Sequence, residues 1–152
     1  MGKKLNAIRR GAKTAKADME AAIKKVGAKS KAGAKLIKDR KNLIMANSRM
    51  EAAQSKADQV DVEIEKAVRG LMNTYKKARK AFDATDFKNA RGHLDALGHY
   101  MDKIEEYGKQ SYKYHEVVTK LAYLVHDYSQ PDGENYIQNI VYGEDDEGTL
   151  AD

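Results

Sequence analysis

The chain contains no cysteine and no tryptophan. Without thiols there can be no disulfide framework and no thiolate nucleophile. It has a single proline, Pro131, so helices over the preceding residues can run long. No stretch of about 18 apolar residues occurs, so no membrane-spanning helix is expected. The first residues lack the apolar core of a signal peptide, and Asn6 stands where a myristoylation start at Met1-Gly2 calls for Ser or Thr. The expected location is therefore intracellular (cytoplasmic or nucleoid) or within a virion. Large hydrophobes are also scarce: Leu, Ile, Val and Phe total 27 of 152 residues, and much of the apolar fraction is alanine. That content lies near the compositional edge of disorder. The regular spacing of what remains favours long helices that bury a narrow stripe.

Motifs that carry chemistry are missing as well. There is no G-x-S-x-G elbow, phosphate-binding P-loop or dinucleotide glycine fingerprint, and no Glu-x-x-His pair of the di-iron type. Asp95, His99 and Asp102 share a helix face by spacing, but Asp95 and His99 are more simply a surface pair one turn apart. His93, His115 and His126 are dispersed. A metal needs three or four converging ligands, so neither a metal site nor another cofactor is expected, and nothing in the residues asks for an enzyme.

What the chain does have is a charge gradient laid over a heptad pattern. Residues 1–41 hold fourteen Lys or Arg against Asp18, Glu20 and Asp39, a net of +11. With +5 overall, residues 42–152 are left at −6, and the last nine residues carry five acids and no base. Opposed charge of this kind points to a polyanion partner or to head-to-tail attraction between copies.

In the first segment Leu5, Ile8, Ala12, Ala15, Met19, Ala22 and Val26 follow the three-four alternation of an amphipathic helix. Gly27, Ser30 and Gly33 predict a hinge near 27–33. Leu43, Ala46, Met50, Ala53, Ala57, Val60, Ile64, Ala67, Leu71, Thr74, Ala78 and Ala81 then occupy successive positions of one seam. Its alanines would let helix axes approach closely. From Val68 the stripe widens through Val68, Tyr75 and Phe82, which predicts a narrow stalk running into a bundle.

Asp83-Ala84-Thr85-Asp86 predicts a turn, with Thr85 or Asp86 capping the next helix. Phe87, Ala90, Leu94, Leu97, Met101 and Ile104 continue the heptad spacing, Gly108 is expected to break it, and Tyr114, Val117, Leu121, Leu124 and Tyr128 form a further seam. Gln130-Pro131-Asp132-Gly133 reads as a turn, and 136–142 as a short helix or an edge strand. The stretch 71–97 resembles one tetratricopeptide hairpin on Ala78, Ala81-Phe82, Asp86-Phe87, Ala90, Leu94 and Leu97; the resemblance implies a helix–turn–helix, and no second repeat appears.

The expected fold is all-α: heptad-patterned helices forming a helical bundle or coiled coil. It divides into a basic N-terminal helical arm (1–41), a stalk and bundle (42–143) and a disordered acidic tail (144–152). Lys3, Lys4, Arg9, Arg10, Lys13, Lys16, Lys24, Lys25, Lys29, Lys31, Lys35, Lys38, Arg40 and Lys41 are the candidates for gripping nucleic-acid phosphates. The arm has no aromatic residue, so base stacking there is not expected. Ala46, Met50, Ala53, Ala57, Val60, Ile64 and Ala67 are the candidates for self-association. Eight of the nine tyrosines follow residue 99, where Tyr107 and Tyr112 are the freest for a partner surface.

The function expected is a non-enzymatic structural or assembly protein of virion or nucleoid type, a homo-oligomer or larger assembly, binding nucleic acid without sequence specificity. The alternatives are a helical scaffold or adaptor with protein partners, joined through heptad seams and head-to-tail charge pairing, and a peripheral membrane helix. The last is disfavoured because the apolar edge of the arm carries no Trp or Phe.

Overall fold

A computed structural model describes residues 2–133 and 135–143. Among these the chain is all-helical, with no strand: α1 (Gly2–Val26), α2 (Lys31–Asp83), α3 (Phe87–Tyr128) and α4 (Tyr136–Tyr142). The acidic tail expected at 144–152 lies outside the described residues.

The chain divides into two compact units. The first holds Met1–Ala52 and Val117–Asp152, the second Ala53–Glu116. This partition differs from the expected arm, stalk and bundle. The basic N-terminal segment does not stand apart: Ala12, Ala15, Met19 and Ala22 of α1 are buried in the first unit, as are Leu36, Leu43 and Met50 of α2, Val118, Ala122 and Val125 of α3 and Ile137 and Ile140 of α4. The physical reason is that an alanine-rich edge too thin to hold a lone helix can still close against three neighbours.

The break between α1 and α2 spans residues 27–30, narrower than the expected hinge. Gly27 takes φ +89°, the left-handed region that glycine enters at no steric cost, and its N–H bonds the Ile23 carbonyl at 2.9 Å. Ser30 caps α2: its Oγ accepts from the Gly33 N–H at 2.9 Å and donates to the Gly27 carbonyl at 2.7 Å. Gly33 must also be small, since a Cβ there would stand 1.9 Å from the Gly27 carbonyl oxygen. The turn therefore holds α1 and α2 together. They run antiparallel, with Arg9 on Glu51 at 2.5 Å and the Arg40 Nε donating to the Lys16 carbonyl at 3.2 Å.

Residues 136–142 are helix, and α4 packs on α1. The Tyr142 hydroxyl donates to Oδ1 of the buried Asp18 at 2.9 Å. That bond to a carboxylate holds the phenol proton and raises the Tyr142 pKa. The Pro131 turn closes with the Gly133 N–H on the Gln130 carbonyl at 3.2 Å, and Lys35 pairs with Asp132 across the unit.

In the second unit α2 and α3 form an antiparallel hairpin. Asp61 receives the Ser111 hydroxyl at 2.7 Å, the Lys56 ammonium lies 6.0 Å from the Tyr114 ring centroid, and Gly70 faces Tyr100. Ala53, Ala57, Val60, Ala67, Ala78 and Ala90 are buried. At the tip Thr85 sits at φ +58°, with the Thr85 N–H on the Phe82 carbonyl and the Asp86 N–H on the Ala81 carbonyl, both 2.9 Å; this is a Schellman ending. Asp86 caps α3, accepting from the Asn89 N–H at 3.3 Å.

Two expectations for α3 are corrected. Gly108 does not break the helix, which runs through it; an exposed helical glycine costs about 1 kcal/mol, and a 42-residue helix packed along its length carries that. Of the expected seam, Phe87, Leu94 and Met101 are exposed, whereas Ala90 is buried and Leu97 and Ile104 are half-buried beside Tyr100, Tyr107, Ser111 and Tyr114. The two stripes are adjacent on one helix, and spacing alone does not select which of them meets α2.

Candidate nucleic-acid interface

All fourteen sequence-predicted bases fall in the first unit. Lys3, Lys4, Arg10, Lys13, Lys24, Lys25, Lys29, Lys31, Lys35, Lys38 and Lys41 are exposed, and Arg9, Lys16 and Arg40 are half-buried. Their chemistry now separates. Arg9 is neutralised by Glu51, Lys35 by Asp39 at 3.1 Å and by Asp132, and Arg40 lies 3.7 Å from Glu20. The two carboxylates raise the Lys35 pKa, chiefly through the hydrogen bond to Asp132. These three cations hold the unit together and are the poorest phosphate ligands of the set. Lys3, Lys4, Arg10, Lys13, Lys16, Lys24, Lys29, Lys31, Lys38 and Lys41 make no ion pair among the described residues.

At about 100° per residue, Lys3, Arg10, Lys13 and Lys24 lie on the side of α1 away from its buried edge. Lys3 and Lys24 are about 32 Å apart along the helix at ~1.5 Å per residue. On α2, Lys31, Lys38 and Lys41 likewise point away from Leu36, Leu43 and Met50. The first turn of α2 holds no acid, so the positive end of its dipole adds to Lys29 and Lys31.

The fold adds groups that the sequence did not nominate. Arg49 is exposed on the same side of α2 as Lys31 and Lys38, beyond the boundary set at 41. More consequential is Tyr123 of α3. It is exposed, and with His126 it lines a groove shared with Lys4, Ile8 and Arg10 of α1 and Gln138 of α4. Residues 1–41 themselves hold no aromatic, but the fold brings one from α3 beside two of their bases. Only folding joins positions so distant in sequence.

The candidate self-association residues lie inside the chain's own core. Ala46 and Met50 are buried in the first unit; Ala53, Ala57, Val60 and Ala67 are buried and Ile64 half-buried in the second. A heptad seam does not specify whether its partner helix comes from the same chain, and here α3 supplies the second unit's partner.

Among the described residues no group of three or more His or acidic side chains is placed to hold a metal ion. Asp61 gathers Ser111 and His115, the latter at 3.2 Å on Oδ2. The serine and imidazole engage separate carboxylate oxygens, so the serine proton is directed to Asp61 and not to the histidine. The Ser111 bond, then His115, lower the Asp61 pKa. Among the described residues no helix is long and apolar enough to cross a membrane. Comparison with protein-family models, curated proteins and solved structures found no match.

Proposed function

We propose that the protein is a non-enzymatic helical structural component that binds nucleic acid through the phosphate backbone, without reading sequence. One observation carries this reading: ten bases of α1, the following turn and the first part of α2 have no ion-pair partner among the described residues, and most of them point away from the shared core. Solubility alone asks for mixed surface charge. A one-sign surface releases counterions from a polyanion. Tyr123, beside Lys4 and Arg10, offers one face on which an unpaired base could stack. The heptad seams act in this reading as coiled-coil-like packing within the chain, and the basic arm as a face of the first unit. A virion or nucleoid setting suits such a protein.

Deleting the arm would remove buried Met19 and Ala22 and disrupt the core. The test is therefore charge neutralisation in the full chain. Lys13→Gln, Lys24→Gln, Lys31→Gln and Lys38→Gln are combined, and binding to unrelated duplexes and single strands is titrated across salt. Each lost phosphate contact flattens the log–log salt slope by about 0.9 on a duplex. The combined variant should lose affinity equally on every sequence. Unchanged affinity and slope would overturn the reading and favour the adaptor alternative.

A further inference from the structure

The second unit leaves an apolar face open. Met72, Tyr75 and Phe82 of α2 are 55%, 52% and 62% exposed, and Phe87, Leu94 and Met101 of α3 are 59%, 56% and 61% exposed. They form one surface. Tyr75, Phe82 and Leu94 line a common groove, and the Phe82 and Phe87 rings meet edge to face at 5.6 Å. Helical periodicity puts Met72 and Met101 on the same side. Taking roughly 150–250 Å² for a whole aromatic side chain, the six leave on the order of 700 Å² of side chain open. The largest patch on a typical monomer is about 300–600 Å², and one side of a stable protein interface is about 800 Å².

We propose that this face binds the same face of a second copy, so that two hairpins close into a four-helix bundle. The stripe that widens at Tyr75 and Phe82 has the pattern of a bundle helix, yet among the described residues α3 covers only the seam beside it. The chain's own tail does not match an apolar face in composition: residues 144–152 carry five acids and one large hydrophobe, Leu150. Charge selects the arrangement. The outer edge of α2 carries Lys76 and an Arg69 that pairs with Glu65 of its own helix at 2.6 Å, and that of α3 carries Asp95 and Asp102. In the register set by Gly70 against Tyr100 and Lys56 against Tyr114, Lys76 lies level with Asp95 and Arg69 with Asp102. A two-fold axis along the hairpin lays α2 of one copy over α3 of the other at the same level, so Lys76 of each copy meets Asp95 of the other. The other two-fold arrangement lays α2 on α2 and sets like edges together.

The proposal does not depend on nucleic-acid binding, and its test contains none. Sedimentation equilibrium of the full chain should give twice the chain mass at micromolar concentration. Phe82→Glu with Leu94→Glu should give the single-chain mass with unchanged helical circular dichroism, since both side chains are more than half exposed. Lys76→Asp and Asp95→Lys should each weaken the dimer about tenfold, and the double swap should restore it. These rim changes report even if the face variant loses helix. A wild-type protein that stays at single-chain mass, a dimer that survives both glutamates, or a double swap that fails to recover would overturn it.

Discussion

Gly70 records how closely the helices of the hairpin approach. A Cβ there would stand 2.4 Å from the nearest Tyr100 ring atom. Alanine gains about 1 kcal/mol in helix propensity over glycine, while overpacking costs about 1–3 kcal/mol. Gly70→Ala should therefore lower stability by about 1 kcal/mol in urea melts, and in a Tyr100→Ala background the same change should raise it by about 1 kcal/mol. Asp61 supplies the second residue-scale prediction. Its folded pKa is depressed, so its bond to Ser111 adds stability above the ordinary carboxylate range, and that contribution disappears as pH falls through the folded value. The urea midpoint of Asp61→Asn should thus lie below wild type near pH 6 and converge with it towards pH 2. Neither residue announced itself in the sequence. Gly70 is an unremarked position next to Leu71, and Asp61 stands on a flank of the seam, fifty residues from Ser111.

At the scale of elements, the helices were legible because their apolar residues recur at three-four steps and a single proline stands late in the chain. The turn at Ala84–Asp86 was legible too, although the structure gives the cap to Asp86 and puts Thr85 in the left-handed region. What the pattern left open was the face of α3. Phe87, Leu94 and Met101 keep as regular a spacing as Tyr100, Tyr107 and Tyr114, and hydrophobicity favours the former. The latter stripe packs because tyrosine can bury its ring and leave its hydroxyl at the edge. The Schellman ending yields a prediction of its own. A β-branched residue in the left-handed conformation is strained by roughly 1–2 kcal/mol, part of which glycine returns to the unfolded chain. Thr85→Gly should stabilise the protein by about 1 kcal/mol, read as a higher urea midpoint with an unchanged slope.

For the whole molecule, the sequence showed the charge gradient but not its distribution in space. Arg9, Lys35 and Arg40 are tied to acids of the same unit, and Tyr123 comes beside Lys4 and Arg10 only through the packing of α3. The two units differ in what they offer: the first presents bases, the second an apolar face. Truncation at Gly143 removes five acids and no base, so the net charge rises from +5 to +10. Nucleic-acid affinity of the truncated chain should exceed that of the full chain at low salt. The difference should vanish near 1 M salt, where screening acts within about 3 Å.

The tight tip at Thr85 also bears on how the chain folds. Closing the short loop between Asp83 and Phe87 costs far less entropy than bringing Asp61 to Ser111 across fifty residues. Contacts near Phe82 and Phe87 can therefore form first, with later pairs added outward one turn at a time. Strain held at Thr85 then acts on the nucleus. Relieving it with glycine should accelerate refolding while leaving the unfolding rate nearly unchanged. In stopped-flow experiments only the folding arm of the chevron should move.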